Sequence, residues 1–259
     1  MNITLITDFG MRDPYVAAVK GIILQRCPDA RIHDLTHEIA PGDIMEAAIF
    51  LRSSIPHFPA GTVHVVVIDP GVGTDRRRLV VCAAGQYFVF PDNGLLTMLL
   101  EDFNLEWARC IEDTPLLNHP VSSTFHGRDV FAPIAAYLAS GGDVTEIGPE
   151  VDDLVKLSFP VATAHGDCIV GEIIHVDRFG NAISNIWRRD IPKGKVPCKI
   201  TVGSQSFDRI GTTYGESEPG TPVVLFGSSG LLEVAVNRMN ASHAFGLKTG
   251  DILTVQLAD

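Results

Sequence analysis

The stretch TVHVVVIDPGVGTDRRR, residues 62 to 78, decides the fold of this chain. Apart from His64, its first seven residues are β-branched up to an Asp, Pro and Gly turn, which predicts a strand ending at Asp69. Asp69 then stands at a strand's carboxyl end, beside a loop rich in Gly and followed by three arginines. Open α/β sheets bind ligands beyond the carboxyl ends of their strands, so this placement marks a crevice.

Working outward, ITLIT at 3 to 7 reads as a buried strand that brings Asp8 to the equivalent position. From Asp13 to Cys27, Tyr15, Val16, Val19, Ile22 and Ile23 fall at near-helical spacing, with Asp13 as N-cap and Pro14 in the first turn. RIHDL at 31 to 35 is a second strand, and Asp43 caps a second helix running to about Ile55. Downstream, LVVCAA and YFVF are strands, PDNG at 91 to 94 turns into another helix, and a further helix is expected to start near Asp129, just after His126. This alternation predicts an α/β fold with a mostly parallel sheet.

Residues 149 to 168 are punctuated by proline and lack helical periodicity. Beyond them CIVGEIIHVD, AISNIW, CKITVG, PVVLFG, LLEVAV and DILTVQL are short strand candidates separated by Gly, Pro and Asn turns. The expected organisation is an α/β domain over 1–155, a linker over 156–166, and an all-β, barrel-like domain over 167–259.

Composition narrows the function. Lys and Arg total 20 against 31 for Asp and Glu, a net charge of -11 that repels a phosphate backbone, so no nucleic-acid partner is expected. The longest apolar runs are too short to span a bilayer, and the amino terminus lacks a signal-peptide pattern. A cytoplasmic protein without membrane association is expected. Five scattered cysteines without a CxxC pair argue against disulfides and a thiolate zinc site, and are expected to be reduced core residues.

The chemistry-bearing residues are one carboxylate, Asp69, the arginine cluster with Arg76, and the imidazole of His126 in TFHGRD at 124 to 129. Read alone, DPGVG is equally a tight loop whose Asp caps a turn, and Asp8 in TDFG equally a turn cap. No P-loop, GxGxxG, HExxH or GxSxG motif occurs, which removes nucleoside triphosphate, nicotinamide, zinc-peptidase and serine-hydrolase readings. His33 and His37 lie on a strand and its following loop, where a surface or core role is the simpler reading. Asp177 and Asn181 in HVDRFGNAISNI satisfy backbone groups in a hairpin or else hold a ligand.

The ordered series ITDFG, DPYVAAVKG, VVVIDPGVGTDRR, PDNGLL, TFHGRDVFAP, VDRFGNAISNI and GSSGLLEVAVNRMNAS resembles the S-adenosylmethionine hydroxide adenosyltransferase family, relatives of the bacterial fluorinase and chlorinase. The motifs span nearly the whole chain. The resemblance implies an amino-terminal α/β domain, a carboxyl-terminal β-barrel, and a homotrimer with active sites between subunits. It also implies hydrolysis of S-adenosylmethionine to adenosine and methionine with no metal and no organic cofactor. Asp69, Arg76 and His126 match the family's polar trio around the attacking water. Asp8 matches the ribose-binding carboxylate, Asp177 is placed for the methionine ammonium, and Asn181 for adenine or ribose. Ser228, Glu233 and Val236, the last through its backbone, match the nucleoside and methionine contacts, and Tyr214 is a candidate for stacking on adenine.

The match has two departures: the DRFGN spacing is one residue shorter than in fluorinase, and Ser229 stands where fluorinase has an arginine. In the halogenating relatives an uncharged aromatic residue matches Asp69, and an anionic carboxylate there repels a halide. Halide transfer is therefore the secondary enzymatic reading. A non-catalytic adenosine or S-adenosylmethionine sensor is the competing class, and it has no need of a water-activating trio.

Overall fold

In the computed structural model, which describes all residues from Met1 to Asp259, the chain divides into two compact units, Met1–Ser158 and Phe159–Asp259. The first unit is built on β1 (Asn2–Thr7) and β3 (Val63–Val67), paired in parallel from Ile3↔Val63 to Thr7↔Val67. All five residues of β3, four valines and His64, are buried, as suits a strand covered on both faces. From β1 the chain crosses through α1 (Tyr15–Arg26) to β2 (Arg31–Thr36) on one side, then through α2 (Ile44–Ser54) to β3 on the other. β4 (Arg78–Ala83), β5 (Gln86–Pro91) and β6 (Leu105–Cys110) extend the sheet to the order β2-β1-β3-β5-β4-β6. β2, β1, β3 and β5 run parallel, and β4 runs against its neighbours β5 and β6.

Alternate residues of the central strands face opposite layers. Ile3, Leu5, Val63, Val65 and Val67 enter one core with Val19 and Ile23 of α1 and with Ile134, Ala135 and Leu138 of α3 (Ala132–Ala139). On the other face, buried Thr4, His64 and Gln86 form a row across β1, β3 and β5. His64 Nδ1 lies 2.7 Å from Thr4 Oγ1 and Nε2 lies 2.6 Å from Gln86 Oε1. Phe88 stacks on the imidazole at 5.1 Å.

Local structure departs from the sequence reading in four places. Pro14, not Asp13, occupies the N-cap of α1; its carbonyl accepts the Ala18 N–H, and no side chain caps the helix. The ring already holds φ at −76°, near the helical value, so the chain enters the helix without an aspartate cap. After PDNG the chain makes turns and only a three-residue 3-10 segment, Leu99–Glu101. There Asn93 donates to the Ile68 carbonyl at the end of β3's run, and Thr97 makes a local bond to the Gly94 carbonyl that competes with a helix. The helix after His126 begins earlier than expected, as a single π-turn Gly127–Phe131 that runs into α3. Of the cysteines only Cys27 and Cys82 are buried; Cys110 and Cys168 are half-buried and Cys198 is exposed. Cys198 lies near the exposed start of the strand Val196–Val202, beside exposed Lys199 and a break in strand register.

The second unit is built on antiparallel strands. Its strands are β7 (Thr163–His165), β8 (Cys168–Val176), β9 (Ala182–Trp187), β10 (Val196–Val202), β11 (Gln205–Phe207), β12 (Pro222–Phe226), β13 (Leu231–Val236) and β14 (Ile252–Ala258). The sheet runs β11-β10-β14-β8-β9-β13-β12, with β7 paired to β8. Gly211 N–H donates to the Val224 carbonyl at 2.7 Å, so the chain leaving β11 returns to β12 and the sheet is a nearly closed barrel. Its interior is filled by Ile169, Ile173, Ile186, Ile200, Val224, Leu232, Val234, Leu253 and Val255. A short helix, α4 (Ala241–Phe245), is capped by Asn240.

Burial lowers the His64 imidazole to about 4, against the opposing pull of the Gln86 bond. Its folded value lies below its unfolded value, so the unfolded state binds the proton more readily between the two. Stability is therefore complete above about 6.5 and is lost as pH falls towards about 4, by about 3 kcal/mol. Urea midpoints measured across this range should show that slope in the native protein and lose it in His64→Gln.

Candidate active site

The site follows from the crossing of the chain at β1 and β3. Because β1 leads to one side of the sheet and β3 is reached from the other, their carboxyl ends leave a crevice at this switch point. Asp8 follows β1 directly and Asp69 lies two residues beyond β3. Both line one cleft of about 360 Å3, with Phe9, Pro41, Gly42, Val67, Pro70, Val72, Thr124, Phe125, His126 and Gly127.

Asp69, Arg76 and His126 meet there. Arg76 Nε donates to Asp69 Oδ1 at 2.8 Å and its Nη2 to Asp69 Oδ2, a two-pronged ion pair. The same Nη2 donates to His126 Nδ1 at 2.7 Å. Arg76 Nη1 is buried without a hydrogen-bond partner from the protein. The guanidinium lies behind the cleft surface, over the Phe131 ring at 5.7 Å, so Asp69 and His126 face the cleft and Arg76 supports them. The neighbouring arginines go elsewhere: Arg77 pairs with Asp92 and Asp153, and Arg78 starts β4. Burial and the charges of Arg76 and Arg78 hold the His126 imidazole below its usual range, against the opposing pull of Asp69 and Asp129. His126 is thus neutral near pH 7.

Two loops hold this arrangement. The loop after Asp69 turns at Gly73, φ +78°, where a Cβ would stand 2.4 Å from the Ser123 carbonyl oxygen; only glycine lets it lie against the strand of chain leading to His126. Behind His126, fully buried Asp129 accepts from Ser122 N–H, Asn118 and Arg128. At the rim, Phe9, Tyr15 and Phe125 form an edge-to-face cluster with centroids 5.3 to 6.0 Å apart. Sequence reading passed over Phe9 and Phe125, although each is the immediate neighbour of a singled-out polar residue, Asp8 or His126.

The remaining singled-out residues lie in the second unit. Asp177 Oδ1 accepts from the Phe179 and Asn181 N–H groups, and its Oδ2 accepts from Asn181 Nδ2 at 2.9 Å. The hairpin turn between β8 and β9 therefore uses both side chains structurally. The Tyr214 hydroxyl donates to Glu233 Oε1. Burial pushes the Glu233 carboxyl above the usual range; the Tyr214 bond opposes this and the nearby Asp177 charge reinforces it. Ser228 is exposed on the turn between β12 and β13. Val236 ends β13, and its carbonyl accepts the Met239 N–H. No group of three or more His, Cys, Asp and Glu side chains is placed to hold a metal ion.

Comparison with known proteins follows this layout. Residues 3–148 match the family model of the SAM hydroxide adenosyltransferase N-terminal domain, and residues 171–254 that of the C-terminal domain. The chain belongs to the SAM hydroxide adenosyltransferase family. A relative from Thermus thermophilus, named (R)-S-adenosyl-L-methionine hydrolase, is 44% identical over 95% of each chain. One of the same name from Salinispora tropica is 37% identical over 98% of this chain and 97% of its own. A fluorinase from an Actinoplanes species is 29% identical over 99% and 97%. Among solved structures, an uncharacterized conserved protein from Thermotoga maritima aligns with a TM-score of 0.91 at 34% identity, over 99% of this chain and 100% of its own. The two domain models fall one in each compact unit.

Gly73→Ala should destabilise the protein by about 1–3 kcal/mol, from a strained left-handed alanine and a forced backbone shift. Urea denaturation checks this; an unchanged midpoint would mean that the Ser123 contact relaxes freely.

Proposed function

We propose that this chain hydrolyses S-adenosylmethionine to adenosine and methionine, by attack of water on the ribose 5′ carbon in line with the departing sulfur. The observation that carries this reading is the continuous Asp69–Arg76–His126 chain on a cleft shared with Asp8. The sulfonium departs as a neutral thioether with the C5′–S electron pair, so sulfur needs no general acid. The site has to hold an oxygen nucleophile in line and take its proton.

The hydrogen bonds divide the work. Arginine only donates, so His126 Nδ1 accepts and its ring proton lies on Nε2. In that tautomer His126 donates to an oxygen and does not take its proton. Each carboxylate oxygen of Asp69 keeps lone-pair capacity after accepting from Arg76. Asp69 accordingly orients water and accepts its proton, His126 aligns the oxygen, and Arg76 keeps the carboxylate and imidazole in register. An ion-paired carboxylate at this wall disfavours an incoming halide.

In the same reading Asp8 holds the ribose diol with two acceptor oxygens. Asp177 receives the methionine ammonium, Asn181 bonds adenine or ribose, and Tyr214 stacks on adenine. Ser228, Glu233 and Val236 complete the nucleoside and methionine contacts. The protein works as a homotrimer in which the cleft of one copy meets the Asp177 and Glu233 region of a neighbour. The (R) sulfonium, which the names of its hydrolase relatives specify, is the epimer assigned to this chain too.

Incubation with the separated epimers should release adenosine and methionine in equal amounts, faster from (R); no adenosine above the non-enzymatic background would sink the reading. Asp69→Ala should lower turnover at least about a hundredfold while adenosine still binds. Full retained activity would remove Asp69 from the mechanism.

For shared sites, equal mixtures of unfolded and co-refolded Asp69→Ala and Asn181→Ala chains should recover about one quarter of native activity, the chance that two intact halves meet in a closed ring. Activity no higher than that of the separate variants would place each site within one copy.

A further inference from the structure

Four of the residues lining the cleft come from two loops. Asp8 and Phe9 follow β1, while Pro41 and Gly42 lie between β2 and α2. What joins these loops is His37, which is only 4% exposed and does not line the cleft. Its Nδ1 lies 2.8 Å from Oγ1 of Thr7, the last residue of β1. Its own carbonyl accepts the Gly10 N–H at 2.7 Å. Thr7 Oγ1 also accepts the Phe9 N–H at 3.3 Å, so both sides of Asp8 are tied to the imidazole and its backbone.

The far side of the ring faces a carboxylate. His37 Nε2 lies 3.0 Å from Asp34 Oδ1, and Asp34 Oδ2 accepts from Lys20 Nζ of α1 at 2.5 Å. Burial would raise the Asp34 carboxyl, but the bonds and charges of Lys20 and His37 outweigh it and hold it below the usual range. The hydroxyl, imidazole and carboxylate stand in the order of a nucleophilic triad. Thr7 is only 1% exposed, however, so a substrate does not reach its hydroxyl. The row therefore acts on geometry. A third bond closes the frame, since Asp8 Oδ2 accepts the Gly42 N–H at 3.0 Å from the second loop.

We propose that His37 is a positioning residue that locks the Asp8 turn to the Pro41–Gly42 loop, presenting the Asp8 carboxylate to a vicinal diol in a fixed orientation. This rests on the reading of Asp8 as the ribose-binding group. A carboxylate held in place loses less freedom on binding a diol than one on a loose turn, so His37 acts on affinity and not on the displacement at C5′.

The test separates binding from chemistry by measuring adenosine affinity calorimetrically alongside kcat and KM. His37→Ala should raise the adenosine Kd and the S-adenosylmethionine KM about tenfold, with kcat within about twofold, the effect of one lost organising hydrogen bond. His37→Asn, whose amide replaces Nδ1 opposite Thr7, should restore most of the affinity. Thr7→Val should reproduce the alanine effect, and Thr7→Val with His37→Ala should add little more.

If His37→Ala fails to fold, His37→Asn and Thr7→Val carry the same comparison. Unchanged adenosine affinity in Thr7→Val, or a fall in kcat at constant KM, overturns the proposal while leaving the hydrolase reading intact. A native protein that binds adenosine but does not release it from S-adenosylmethionine overturns the hydrolase reading alone, and the affinity comparison still decides the role of His37.

Discussion

The parallel pairing of β1 with β3 is the constraint on which the site depends. The two strands lie side by side, yet the chain reaches β2 and β3 on opposite sides of β1. Nothing bridges their carboxyl ends directly, so the loops that leave them diverge and open a crevice. Two carboxylates, Asp8 and Asp69, are carried to its walls by strand register alone. His64 fixes that register, because a one-residue slip would turn its imidazole away from Thr4 and Gln86 to the opposite face.

Around this frame polar groups are used in two ways. His64 is enclosed with Thr4 and Gln86 and keeps its bonds by staying neutral, which stabilises the sheet at neutral pH and makes it sensitive to acid. Arg76 instead is clamped to a carboxylate and an imidazole at the edge of the cleft. An ion pair in such a place stabilises the fold little for the desolvation it costs, and its value lies in orientation. His37 belongs between these cases, buried like His64 yet bonded to the turn that bears Asp8.

The strand positions were legible in the sequence because period and β-branching act locally: β1, β2, β3 and six of the eight barrel strands lie close to the runs that predicted them, whereas the three-residue β7 and β11 went unread. Turn chemistry was less so. PDNG carried helix-entry residues, but Asn93 and Thr97 spend their side chains on nearby carbonyls. Asp13 looked like a cap, and Pro14 took the position. The burial of individual cysteines was not written in composition, since it depends on which face of a strand each one occupies.

For the site, the sequence by itself determined which residue types are present, that Asp8 and Asp69 lie just past the carboxyl ends of strands, and the ordered motifs that place the chain in its family. Those are local or linear properties, readable from period, turn residues and spacing. Only the tertiary structure decided that Arg76 grips both oxygens of Asp69 while also reaching His126 Nδ1, and that His37 joins two loops of the cleft wall. Such pairings join residues that lie up to 50 positions apart along the chain, and their geometry exists only once the sheet has set the loops against one another.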